Sequence, residues 1–161
     1  MATSELLARC GAAVTAAEKF LGAARATVAA KVTKGGKVDA AALDREQRAG
    51  HAFAWYATYV EALRQMARWA RHLTDENTFG EIEQLILKAA FAEYLAQMAG
   101  GIAMSQNEIA RPGDLGVSND DFAVFWNAVH RLIDEGSQPE VRAGIAAYMA
   151  KHQGAMFIGE P

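Results

Sequence analysis

Apolar residues recur along this chain at alternating steps of three and four, the spacing that gathers them on one side of an α-helix. The first series runs through Leu7, Cys10, Val14, Ala17, Leu21, Ala24 and Val28. Its period lies near 3.5 residues, and its small members let a partner helix approach closely. Thr3 or Ser4 can cap this helix at its start, and Gly35-Gly36 stops it. A second helix is predicted from the Asp39 cap to about Leu73. Its opening turns, Asp44 to Arg48, are polar nearly all round. Two apolar stripes follow: Trp55, Tyr59, Ala62, Met66, Trp69 and Leu73 on one side, and Tyr56, Val60, Leu63, Ala67 and Ala70 on the other. A helix apolar on two sides must touch two neighbours, which makes this one central.

After a turn at Asp75 to Thr78, a third helix is predicted from about Phe79 to Ala99, ended by Gly100-Gly101. Between Lys88 and Ile102 its only ionisable residues are Glu93 and Tyr94, so it is largely enclosed. An ordered connector follows, Ile102 to Gly116. Ser105 and Glu108 have capping-box spacing there and predict a short helical turn, after which Pro112 and Gly113 turn the chain. The fourth helix, capped by Ser118 or Asn119, carries Phe122, Phe125, Trp126, Val129, Leu132 and Ile133 and ends at Gly136. The fifth begins around Ser137 with Pro139 in its first turn, where a missing N–H costs nothing, and runs to about His152. No strand-like alternation bounded by turns is present. The fold class expected is therefore all-α: an antiparallel bundle of four long helices plus a shorter helix or connector turn. One domain, 1–153, is expected, with a linker-like tail at 154–161.

Composition narrows the function classes. A chain of 161 residues buries roughly 70% of its unfolded surface and needs no metal or disulfide to hold a core. With 52% hydrophobic and 22% charged residues it is globular in balance, which argues against a disordered regulator. The net charge is −3, the basic residues are scattered, and no basic arm suits nucleic acid. No stretch approaches the ~20 apolar residues that span a bilayer, and the N-terminus is not patterned as a secretory signal. The single cysteine, Cys10, lies among apolar positions and is expected to be a buried structural thiol, with a cytoplasmic location the simplest reading.

The chemistry-bearing residues form no complete active site. A di-iron bundle needs Glu-x-x-His pairs, and none occurs; His51, His72, His130 and His152 are isolated. Gly100-Gly101 matches neither a P-loop nor a dinucleotide fingerprint. Glu93, in an apolar stretch, is either a buried acid–base candidate or, as favoured here, one half of an ion pair with Arg64, Arg68 or Lys88. His51 lies where the second helix turns from polar to aromatic; it could poise a proton near neutrality, but a structural role is favoured. On the connector, Gln106, Glu108 and Arg111 form a polar cluster beside Met104. It could meet a thioester carboxylate or a CoA phosphate, or simply brace the turn, and both readings stand.

The segment Asp-Arg-Glu-Gln-Arg-Ala-Gly-His-Ala-Phe-Ala-Trp-Tyr-Ala-Thr-Tyr-Val-Glu-Ala-Leu-Arg-Gln-Met at 44–66 resembles the N-terminal extension of methylsuccinyl-CoA dehydrogenases. So does the stretch from Phe-Gly-Glu-Ile-Glu-Gln-Leu-Ile at 79 through Met-Ser-Gln-Asn-Glu-Ile-Ala-Arg-Pro-Gly-Asp-Leu-Gly at 104–116, and Gly-Ala-Met-Phe-Ile-Gly at 154–159 resembles the family's linker. Ala103 and Ala92 depart from a proline and a glycine expected of the family. These enzymes are bacterial acyl-CoA dehydrogenases of the ethylmalonyl-CoA pathway. In their flavin-binding core a glutamate removes the α-proton while FAD takes the β-hydride. The resemblance implies an accessory domain with no cofactor of its own, packing on an FAD-bearing core in cis or trans. The alternative is a free-standing helical interaction module, which could pair with itself.

Overall fold

The computed structural model describes residues 3–152. The helical class expected is what the chain forms, but the helix count is not. Six α-helices are present among the described residues: α1 (Thr3–Val32), α2 (Ala40–Arg45), α3 (Gln47–Asp75), α4 (Glu81–Gly100), α5 (Asn119–Gly136) and α6 (Pro139–Lys151). The expected tail at 154–161, with residue 153, lies outside the described residues.

The second predicted helix is two. Asp39 caps α2 by accepting the Ala42 N–H at 2.7 Å, and the helix then breaks at Glu46, whose φ of −105° and ψ of 26° are not helical. Leu43 reaches within 3.0 Å of where a Cβ on Gly50 would stand, so the bend folds α2 against the start of α3. Nor are strands wholly absent. β1 (Thr33–Lys34) pairs antiparallel with β2 (Lys37–Val38), and β3 (Ile102–Ala103) with β4 (Ile109–Ala110). Gly35 and Gly36, at φ +60° and +76°, form the first hairpin's turn and do not end α1, which stops at Val32; this left-handed pair is what a tight hairpin turn requires.

Cross-helix pairs fix the directions. Lys31 meets Glu46 and Glu18 meets Arg64, so α1 and α3 are antiparallel. Arg9 meets Glu135 and Phe20 meets Phe125, so α1 and α5 are antiparallel. Tyr59 bonds Gln97, so the middle of α3 lies beside the last turns of α4, and Trp69, nearer the end of α3, meets Phe79 just before α4 begins. Together α1, α3, α4 and α5 make an up-down bundle, and α6 lies outside it along α4. As expected of a helix apolar on two sides, α3 packs on both α1 and α4, while α4 packs on α3, α5 and α6.

The predicted α1 stripe is buried at Cys10, Ala17, Ala24 and Val28, but Leu6, Ala13 and Phe20 take the deep places expected of Leu7, Val14 and Leu21, which are half-buried beside them. Phe20 decides the exchange: its ring lies 5.5 Å from Tyr56 and 5.1 Å from Phe125, an aromatic cluster joining three helices. Burying such side chains stabilises by about 1.5–3 kcal/mol each. On α3, the Tyr56 stripe is the buried one and the Trp55 stripe lies at its flank. Cys10 is buried, and burial, only partly opposed by Arg9, pushes its thiol up to about 12.

Gly136 does not merely end α5. It is the last residue of the helix, buried against α4, where a Cβ would collide with the Lys88 carbonyl oxygen and stand 2.6 Å from Ala92 Cβ. Helix propensity alone makes Gly→Ala favourable by about 1 kcal/mol. Backbone cannot yield as a flexible side chain can, so Gly136→Ala is expected to destabilise by about 1–3 kcal/mol. Urea unfolding checks the sign, and a stabilised variant contradicts this packing.

Candidate functional site

Two surface features concentrate polar or apolar groups, one at each side of the bundle. The first is built where α2 and the start of α3 face the second hairpin. Gly101 begins this construction at φ +131°: a Cβ there would meet Ile109 Cγ2 at 2.5 Å, so only glycine lets the chain leave α4 and double back. The predicted helical turn at Ser105–Glu108 does not form. Met104 and Ser105 instead donate their N–H groups to the Glu108 carbonyl at 2.9 and 3.2 Å, closing the loop between β3 and β4. The helical turn comes later, a 3-10 turn over Pro112–Leu115.

Two anchors hold this loop. The buried Tyr56 hydroxyl donates to the Met98 carbonyl at 2.8 Å and lies 3.4 Å from that of Ala110. Burial, with the negative charge of Asp114, pushes this phenol well above its ordinary range. The Asp114 carboxylate accepts the Arg111 N–H at 2.8 Å and the Arg48 guanidinium at 3.0 and 3.3 Å, while Arg48 also reaches the Ile109 carbonyl at 3.4 Å. Partial burial pushes the Asp114 carboxyl up, but the Arg111 N–H and the Arg48 charge outweigh it and hold it below the usual carboxylate value.

Around these anchors Leu43, Gln47, Arg48, Gly50, His51 and Glu108 line a groove of about 660 Å³. The structure thus brings together two of the sequence candidates, His51 and Glu108. His51 has a partner that sequence reasoning missed: its Nε2 accepts the Trp55 indole N–H at 3.1 Å, one turn on. Gln106 is exposed on the loop, Met104 is half-buried against the core, and the stem of Arg111 lies against Gly101. Bracing of the turn falls to Arg48 and Asp114, which the sequence reading passed over; the spacing of Asp114 from Arg111 was the available signal. Glu93 stands apart. It is exposed on α4 and paired with Arg142 of α6, not with Arg64, Arg68 or Lys88. Arg64 is engaged by Glu18 and Glu61.

The second feature is an apolar groove of about 420 Å³ between α4 and α5, lined by Ala96, Ala99, Gly100, Phe122, Trp126 and Ile133. Small residues make its floor and large ones its walls, and no lining side chain is charged. The spacing of Phe122 and Trp126 foretold a common face, but not that Trp126 would remain 41% exposed.

Neither feature resembles a metal centre: among the described residues no group of three His, Cys, Asp or Glu could hold an ion. Gly100-Gly101 does not fit a flavin pyrophosphate either, since Gly101 is packed under Ile109 and Arg111. Among the described residues no helix is long and apolar enough to cross a membrane.

No protein-family model matches the chain. Among curated proteins it is similar to the (2S)-methylsuccinyl-CoA dehydrogenase of Cereibacter sphaeroides, with 45% identity over 155 residues. The two are homologous across 96% of this chain, which spans 28% of that enzyme.

Tyr56→Phe strips the hydrogen bond from the buried Met98 carbonyl, and a loss of about 1–3 kcal/mol is expected in urea unfolding. A hydroxyl that merely grazes this carbonyl predicts no change. The Asp114 interaction is worth most above the unfolded carboxyl pKa of about 3.9 and is lost as pH falls through the lower folded value. Stability should therefore fall less steeply below pH ~4 in Asp114→Asn than in the unsubstituted chain. Parallel acid-unfolding curves rule that out.

Proposed function

We propose that this chain is an accessory helical domain of a methylsuccinyl-CoA dehydrogenase-like acyl-CoA dehydrogenase, not catalytic alone, packing on an FAD-bearing core in cis or trans. The observation that carries this reading is the homology: nearly the whole chain aligns, at 45% identity, with little more than a quarter of the Cereibacter enzyme. A domain that aligns so fully with a part of an enzyme has the work of that part.

The site geometry supports the accessory role. His51, the residue best suited to move a proton, has its ring nitrogen engaged by Trp55, and Glu93 is exposed and ion-paired. Flavin binding falls to the core, which supplies the oxidising cofactor and, as the resemblance implies, the glutamate that removes the α-proton. This domain contributes shape and contact. The groove containing His51 and Glu108 and the loop bearing Gln106 and Arg111 are the polar surfaces it offers towards an acyl-CoA or the core, with Met104 half-buried beneath them.

Capture of the native polypeptide from its source cells, with an antibody to this domain, tests the reading. The captured material should contain bound flavin and oxidise methylsuccinyl-CoA with an artificial electron acceptor. Captured protein free of flavin, whether near 17.3 kDa or heavier, sinks the proposal.

A further inference from the structure

We infer that the apolar groove between α4 and α5 is the seat for an apolar segment of the flavin-binding core; this rests on the reading of the chain as a dehydrogenase module. The groove belongs to a side of the bundle that is apolar without being covered. Three of the exposed large hydrophobic side chains, Ile86 at 42%, Trp126 at 41% and Met149 at 57%, lie on α4, α5 and α6. From Ala143 to Ala150, α6 carries no charge at all, yet its one buried residue is Val141. Helices apolar all round are ordinarily enclosed, and exposed apolar surface of this kind marks an interaction site.

The arrangement of α6 explains why the groove is open. Arg142 meets Glu93, a Cβ on Gly144 would stand 3.0 Å from Leu85, and Ala147 and Lys151 line a cleft with Glu81. Thus α6 covers α4 from Glu93 back to its beginning and does not reach Ala96, Ala99 and Gly100, of which the alanines are half-buried and the glycine exposed. An incoming side chain would rest on this small-residue floor between Phe122, Trp126 and Ile133, replacing water on both surfaces.

The length of the relative argues for the core as occupant. Nearly three quarters of the Cereibacter enzyme lies outside the match, a mass of protein that must contact the module somewhere.

Cysteine protection tests this directly. Cys10 is buried and silent, which leaves Ala99→Cys on the groove floor as a probe and Val124→Cys, on a different cleft with Ala16 and Lys19, as its control. Each is placed in the 161-residue chain and in a full-length chimaera, the Cereibacter enzyme with its matching segment replaced by this chain. Peptide-level alkylation at Ala99→Cys should be slower by about tenfold or more in the chimaera, while Val124→Cys reacts alike in both. Trp126→Cys on the groove wall gives the same comparison if Ala99→Cys does not fold.

Equal labelling of the groove in a chimaera that keeps flavin and dehydrogenase activity overturns the groove assignment and leaves the module reading standing. A folded chimaera without flavin or activity overturns the module reading, and this inference with it. Slow labelling in the 161-residue chain, together with a dimeric mass, assigns the groove to a second copy and overturns the inference.

Discussion

The phenol of Tyr56 is the point on which the rest of the bundle depends. Its ring stacks obliquely on Phe20 of α1, which in turn touches Phe125 of α5. Its hydroxyl reaches the carbonyl of Met98, in the last turn of α4. Carbonyls in a helix's last turn have no partner within the helix, and a buried phenol must also find one. Each requirement satisfies the other, so the register between α3 and α4 is set by a hydrogen bond while the aromatic contacts set the approach of α1 and α5. The weaker branch to Ala110 fixes where the second hairpin returns.

Much of this architecture was legible because it rests on local rules. Asp39 and Ser118 cap their helices as side chains of their type do, and Pro139 occupies the first turn of α6. What escaped was decided by distant residues. On α1 the predicted and observed stripes share Cys10, Ala17, Ala24 and Val28, and Phe20's aromatic neighbours draw Leu6, Ala13 and Phe20 inward in place of Leu7, Val14 and Leu21. The break at Glu46 falls in a polar stretch with no apolar stripe to interrupt, and its cause is packing of Leu43 near Gly50. Strands of two residues are too short to show alternation, so the hairpin at 102–110 left no period to read.

The candidate residues divide the same way. Their types were visible and their partners were not. Glu93 pairs with Arg142, 49 positions away, because α6 turns back along α4. Trp55 follows His51 by four residues, a spacing at which helical side chains meet, so that pair could have been read. The meeting of His51 with Glu108 depends on the Gly101 turn and on the Arg48–Asp114 brace, neither of which any single stretch of sequence announces.

An asymmetry of surface links fold to role. The outward sides of α1 and α3 carry charged networks, with Arg64 held between Glu18 and Glu61 and Lys31 beside Glu46. The outward side of α4 to α6, apart from the Glu93–Arg142 pair, offers alanines, Trp126 and Met149. Folding requires no such exposure, since the aromatic cluster and the Tyr56 bond lie on the opposite side of α4 and need no help from α6. An apolar face that the bundle's own stability does not use is best explained by a surface outside the bundle. Such a face suits a domain homologous to a fraction of a larger enzyme, and on the proposed reading the last turns of α4 are where the rest of that enzyme would rest.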